Sequence, residues 1–164
     1  MGYLTIPLDS THNKSLFSCG NSLLDNYLHK QAKQDVKKHL SACFVLLEGE
    51  SIIGYYTLSS ASIIRESVLE NFRKKLPQSY NNIPTTLLGR LAVDKKYKGK
   101  GYGELLMIDA LKRSFDASIS IGSIAVIVDP IDEDAKAFYL KYGFILLPDS
   151  KKMFIAMDTI SELF

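Results

Sequence analysis

Leu91-Ala-Val-Asp-Lys-Lys-Tyr-Lys-Gly-Lys-Gly-Tyr-Gly103 is the stretch on which the reading of this chain turns. An apolar run, Leu87 to Val93, reads as a strand, with Gly89 marking a bulge or bend. It delivers the chain to a turn holding Gly99, Gly101 and Gly103. A helix then leaves, with Leu105, Ile108, Leu111 and Phe115 on one apolar stripe. Glycines let the backbone approach a ligand closely and take positive φ. Free N–H groups at a helix N-terminus favour an anion such as a pyrophosphate. Lys98 and Lys100 add mobile positive charge. Taken alone, the segment reads equally as an ordinary glycine turn. It fits a dinucleotide-binding fingerprint poorly, because that fingerprint follows the first strand of its fold and this loop follows the fourth.

Upstream, Tyr3 to Pro7 reads as a short strand, and Phe17 to Gly20 leads into a helix. Ser22 with Asp25 three residues on resembles a capping box. Leu24, Tyr27, Leu28, Ala32 and Val36 then recur at helical spacing, with Lys30, Lys33 and Lys37 on the opposite face. Ala42 to Leu47 and Ile52 to Ile64 read as a hairpin. Ser67 to Lys75 is weakly helical and ends at Pro77, and residues 78–84 read as a loop. Downstream, Ser123 to Val128 is an apolar strand covered on both faces. Asp129-Pro130 reads as cap and first residue of a helix from Ile131 to Tyr142, with Gly143 at its αL end. Phe144 to Leu147 and Met153 to Met157 supply two last strands. The fold class expected is mixed α/β (α+β), with one domain over residues 1–164.

Bulk properties agree. Apolar residues make up 46% and charged residues 23% of the 164, as in ordinary globular chains. The net charge of +2 means that any nucleic-acid surface must come from local clusters of Lys and Arg. Cys19 and Cys43 match no zinc or redox spacing, and a reducing cytoplasm is the simple reading. Residues 1–7 lack the pattern of a secretory leader. No run approaches the roughly 20 apolar residues of a membrane span.

A second pattern gives the loop its meaning. Lys98 to Gly103 matches Gln/Arg-x-x-Gly-x-Gly/Ala with Lys in first place. About 35 residues on, Asp134-Ala-Lys-Ala-Phe-Tyr-Leu-Lys-Tyr-Gly-Phe144 matches Ala-x-x-Phe-Tyr-x-x-x-Gly-Phe. In that order and spacing the chain resembles the GNAT acetyltransferases. Phe17-x-Cys-Gly20, Leu24-Asp25-x-Tyr-Leu28, Gly54-Tyr-Tyr-Thr-Leu-Ser59 and Leu87-Leu-Gly-Arg-Leu-Ala-Val-Asp94 extend the likeness. They resemble the GNAT toxins of bacterial toxin–antitoxin pairs, which acetylate the α-amine of aminoacylated tRNA.

The resemblance implies roles. Tyr139 matches the general acid that protonates the departing CoA thiolate, a task suited to a phenol with pKa near 10. Backbone groups of Leu91, Ala92 and Val93 would hold the pantetheine arm and polarise the thioester carbonyl. Lys98, Gly99, Lys100, Gly101, Tyr102, Gly103 and Glu104 would take the pyrophosphate of acetyl-CoA, and the strand before the loop would splay from its neighbour to admit it. Arg90 either binds substrate phosphate or pairs with a carboxylate. Arg73, Lys74 and Lys75, with the lysines of the first helix, form either a tRNA-facing surface or a solvated face. His12, His29 and His39 lie outside every motif and read as surface residues. No general base is identified: an α-amine has a pKa near about 8, the ester of an aminoacyl group lowers it further, and much of the amine is then already neutral. Further implications are no metal, no membrane, a homodimer and a ribbon-helix-helix antitoxin. Rival readings are a GNAT enzyme acting on a small amine or a protein N-terminus, and a non-catalytic acyl-CoA-binding regulator.

Overall fold

The computed structural model describes residues 2–148 and 150–164; Met1, part of the segment read above for a leader, lies outside them. Its strands are β1 (Ile6–Pro7), β2 (Ala42–Glu48), β3 (Ser51–Ile64), β4 (Asn82–Val93), β5 (Ala125–Val128), β6 (Ile145–Leu146) and β7 (Met153–Ala156). Hydrogen-bonded neighbours follow the order β1-β2-β3-β4-β5-β7-β6. The β4–β5 pair is parallel, while β1–β2, β2–β3, β5–β7 and β6–β7 are antiparallel. The helices are α1 (Ser22–Asn26), α2 (Ala32–Lys37), α3 (Glu70–Arg73), α4 (Tyr102–Ser118), α5 (Glu133–Lys141) and α6 (Met157–Ser161). This is the mixed α/β architecture expected. None of the described helices is long and apolar enough to cross a membrane.

Two compact units divide the chain. One runs up to Ser59 and adds Leu88–Arg113; the other is Ser60–Leu87 with Ser114–Phe164. In the first, β2 and β3 form the expected hairpin through Gly49, whose φ of +63° suits glycine. Phe17, Leu28, Ala32, Val45, Tyr55 and Ala92 build its core. Tyr27 stacks on Tyr55 at 6.4 Å, and Phe17 meets the same ring edge-on at 5.6 Å. Between α1 and α2 the helix widens into a π turn, Tyr27–Gln31. Helical periodicity alone does not reveal that turn, because Tyr27, Leu28 and Ala32 still face inward.

Three local expectations shift by a residue or more. The cap of α1 is Asn21, which accepts from the amides of Leu23 and Leu24, and not Ser22. On α4 the buried line is Leu106, Met107, Ala110 and Leu111, while Leu105 is 45% exposed. The phase is set by closest approach. A Cβ on Gly54 would lie 2.9 Å from Leu106 Cδ1 and 3.3 Å from the Ala92 carbonyl, so small residues, not the count of leucines, choose the contact line. In the second unit α5 starts at Glu133, because Asp132 caps the amide of Ala135 at 2.8 Å. Asp129 instead pairs with Lys152 at 3.3 Å.

The second unit packs Ile63, Val68, Ile83, Ile127, Leu147 and Phe154 together. All four residues of β5 are buried, which explains its unbroken apolar run. β4 begins at Asn82, inside the segment read as a loop. Helix α6 carries no strong signal in the sequence. It is held by burial of Met157 and Ile160.

Candidate active site

The glycine loop lies in the first unit. β4 ends at Val93, with Leu91 half-buried and Ala92 and Val93 buried. Asp94, only 5% exposed, then reverses the chain. Its carboxylate accepts the Lys96 amide at 2.9 Å and the Ser18 amide at 3.2 Å, and its own amide donates to Ile53. Lys95–Tyr97 forms one 3₁₀ turn. Gly99 and Gly101 follow at φ +79° and +83°, and a Cβ on either would meet nothing within 4 Å. Side chains are thus excluded here by backbone conformation and not by crowding. The space beside the loop is left open, as close approach of a ligand requires.

Helix α4 opens with Leu105 N–H donating to the Gly101 carbonyl at 3.2 Å. The amides of Tyr102, Gly103 and Glu104 therefore have no intrahelical acceptor and point to the positive end of the dipole. Donors, open space and dipole fit a pyrophosphate. Lys100 and Tyr102 flank the loop through Tyr97: the ammonium lies 5.5 Å from that ring's centroid, and the two rings meet edge-on at 6.0 Å.

Lys98 departs from the mobile charge expected. Its ammonium donates to the Cys19 carbonyl, and the Lys95 amide donates to the Ser18 carbonyl at 2.8 Å. Residues 17–20 thus strap the glycine loop. The strap is tied onward to α1, because the Asp25 carboxylate accepts the Cys19 amide at 2.8 Å. Sequence reasoning noted Phe17-x-Cys-Gly20 and Leu24-Asp25 without giving them a task, and the strap is that task. The Cys19 thiol is buried and its pKa is raised by loss of solvent.

Arg90 is half-buried, and its guanidinium carbon sits 3.5 Å from the Tyr27 ring centroid. A stacked guanidinium keeps its edge donors available. The Tyr27 hydroxyl donates to Asp35 at 2.8 Å. Burial first, and then that carboxylate, push its pKa up to about 12. Of the two sequence readings of Arg90, carboxylate pairing gives way to stacking on an aromatic ring.

Tyr139 belongs to the second unit. It lies near the end of α5, 8% exposed, and burial raises its pKa above the ordinary phenol value. Two backbone bonds close the helix: Phe144 N–H to the Tyr139 carbonyl and Gly143 N–H to the Leu140 carbonyl, each 3.2 Å. Gly143 takes φ +97°. This is a Schellman ending, with the apolar contact that accompanies it supplied by Tyr139 and Phe144 at 5.0 Å between ring centroids. The Tyr-x-x-x-Gly-Phe spacing is therefore a helix terminus that fixes the tyrosine. Tyr142 is the C-cap and packs on Phe138 at 5.1 Å.

In the same unit β4 and β5 pair in parallel over Thr86–Leu87 against Val126–Ile127. Arg73 ends α3, and Lys74 and Lys75 follow, exposed. Lys74 stands 3.6 Å from Glu70, a solvated pair of little energetic weight. Arg65 holds the segment by donating to the carbonyls of Arg73, Leu76 and Pro77. Of the three histidines read as surface residues, His39 is exposed, and the other two differ. The His12 side chain is only 5% exposed and accepts the Asp9 amide, while His29 Nε2 is buried without a partner among the described residues.

The acetyltransferase (GNAT) family model matches residues 10–144. The chain belongs to the acetyltransferase (GNAT) family. It is an enzyme, an acetyltransferase with acetyl-CoA as acyl donor. It is 36% identical to the tRNA-acetylating toxin of Mycobacterium tuberculosis (strain ATCC 25618 / H37Rv) over 132 residues, covering 80% of this chain and 78% of that one. Among solved structures it is similar to AtaT complexed with acetyl-methionyl-tRNAfMet. The TM-score there is 0.90 at 28% identity, over 98% of both chains. A tyrosine-to-phenylalanine mutant of AtaT, bound to the C-terminus of the antitoxin AtaR and acetyl-CoA, gives a TM-score of 0.82 at 26% identity, over 98% of this chain and 96% of that one.

Proposed function

We propose that this protein is the toxin of a toxin–antitoxin pair that acetylates the α-amine of aminoacyl-tRNA and so blocks translation. The observation that carries the reading is the likeness, over 98% of both chains, to AtaT in complex with an acetylated aminoacyl-tRNA. The chain acts as one catalytic domain in the cytoplasm, as a homodimer, with a ribbon-helix-helix antitoxin.

The chemistry proposed for each residue is the one that the family resemblance implies. Leu91 and Val93 offer strand backbone groups to the pantetheine arm and the thioester oxygen. The amides of Tyr102, Gly103 and Glu104 take the pyrophosphate, with Gly99 and Gly101 leaving room for it. The acceptor's neutral amine attacks the acetyl carbonyl, forming the C–N bond as the C–S bond breaks. Tyr139 gives its phenolic proton to the departing thiolate and regains one from water, while the new ammonium loses its proton to water. Arg90, stacked on Tyr27, directs its free edge to a phosphate near the acceptor end.

The test is incubation with radiolabelled acetyl-CoA and total charged tRNA, deacylated tRNA or a panel of small amines and peptides. Label should enter charged tRNA and leave deacylated tRNA blank. No label in charged tRNA at low salt, with acetyl-CoA binding verified, removes the reading. So does a free amine that outcompetes charged tRNA by orders of magnitude in kcat/KM.

A further inference from the structure

Apart from the glycine loop, the first unit holds a cavity of about 270 Å³ between the segment before α1 and helix α2. Asp9, His12, Lys14, Lys33, Val36 and Lys37 line it. Lys33 and Lys37 lie four residues apart, one helical turn with a rise of about 6 Å, and Lys14 meets them from the opposite wall. None of the three ammonium groups makes a hydrogen bond or ion pair among the described residues. The one carboxylate present is turned to its own loop. Asp9 Oδ1 accepts the amide and hydroxyl of Thr11 at 2.7 and 2.5 Å, and Oδ2 faces His12 Nε2 at 3.7 Å. Three unpaired cations against one satisfied anion leave the cavity positive.

We propose that this cavity seats a backbone phosphate of an RNA acceptor, held by Lys14, Lys33 and Lys37. The inference rests on the aminoacyl-tRNA reading and gives that substrate a contact away from the reacting amine. Phosphate is favoured over a peptide carboxylate by the kind of cation. Planar, bidentate capture of carboxylates is the strength of guanidinium, and no Arg lines the cavity. Ammonium groups serve as point charges toward a tetrahedral anion. A turn of helix spaces two of them for neighbouring oxygens or successive phosphates along a strand.

The experiment measures anisotropy of fluorescent deacylated tRNA across roughly 50–200 mM salt, a range over which phosphate contacts register strongly. It compares the native protein, the triple variant Lys14→Gln/Lys33→Gln/Lys37→Gln, and a charge-matched control, Lys136→Gln/Lys141→Gln/Lys151→Gln. Calorimetry with acetyl-CoA verifies that each variant is folded. The lysine triple should bind about tenfold or more weakly at low salt, and its slope of log K against log salt should be shallower by about 2–3. The control should stay near native. Equal losses in both variants, or an unchanged slope in the first, overturn the seat. So does a variant that keeps tRNA but loses poly-glutamate, which would mark an acidic-peptide site. Lysine-dependent tRNA binding without acetylation of charged tRNA would support the seat while removing the acceptor reading.

Discussion

Tyr139 has its hydroxyl free of hydrogen bonds among the described residues while its ring is clamped by Phe144. A clamped ring with a free donor is what a general acid needs, since the proton must go to the ligand and not to a neighbour. Tyr139→Phe deletes one hydroxyl and leaves the packing. Turnover should fall by roughly 10²-fold or more, with acetyl-CoA affinity by calorimetry unchanged; a kcat within about threefold of native, with chemistry limiting, would reassign the acid. Burial raises the Tyr139 pKa, so the acid form persists as pH climbs past the ordinary phenol value near 10. The acceptor amine must be neutral, so kcat/KM should rise as pH approaches about 8 and then stay level to at least about 10. A descending limb centred near pH 10 that vanishes in Tyr139→Phe would show an unshifted phenol. The position of this residue was legible in the sequence because a helix terminus has a spelling: tyrosine, three residues, glycine, phenylalanine. The stacking of Arg90 on Tyr27 was not, because 63 residues separate partners that only the sheet brings together.

Elements with a local signal were read well, and those decided by tertiary contact were not. The β2–β3 hairpin, β5 and the glycine loop depend on short-range propensity and turn chemistry, so each appears where its residues put it. The cap of α5 is Asp132 and not Asp129; both are good cap residues, so the local sequence does not choose between them. The strap over the glycine loop is built from backbone groups of Ser18 and Cys19, which leave little trace in side-chain patterns. At this scale two outcomes are expected. Gly101→Val forces a β-branched residue to φ near +83°, a strain of about 1–3 kcal/mol, and refolding of the loop should abolish measurable acetyl-CoA binding. Unchanged affinity in a folded variant would take the loop out of the site. Asp94→Asn removes a buried carboxylate that accepts two amides; stability should drop by about 1–3 kcal/mol, read as a lower midpoint in urea. An unchanged midpoint would mean that the strap is held without Asp94.

The near-neutral whole conceals an uneven distribution of charge. The first unit carries 12 Lys and Arg against 8 Asp and Glu, and the second carries 8 against 10, which together make the 20 and 18 of the chain and its net +2. A net charge averaged over 164 residues is therefore a poor guide to whether a polyanion binds, because contacts beyond about 8–10 Å are screened at physiological salt. What matters is the number of phosphates met by unpaired cations. For the second unit the candidate cluster is Arg73, Lys74 and Lys75, with Lys74 already beside Glu70. If the cluster meets RNA, reversing all three charges should raise KM for charged tRNA and leave kcat nearly unchanged, because it lies outside the residues assigned to chemistry. Native KM should climb steeply between roughly 50 and 200 mM salt, as released counterions dictate, and the reversed variant should climb less. Acetylation of any small amine should keep its KM at every salt concentration, which separates loss of RNA contact from damage to the acetyl-CoA site. A variant whose KM for tRNA and salt slope both match native would return Arg73–Lys75 to the role of a solvated face and leave the RNA contacts to the first unit.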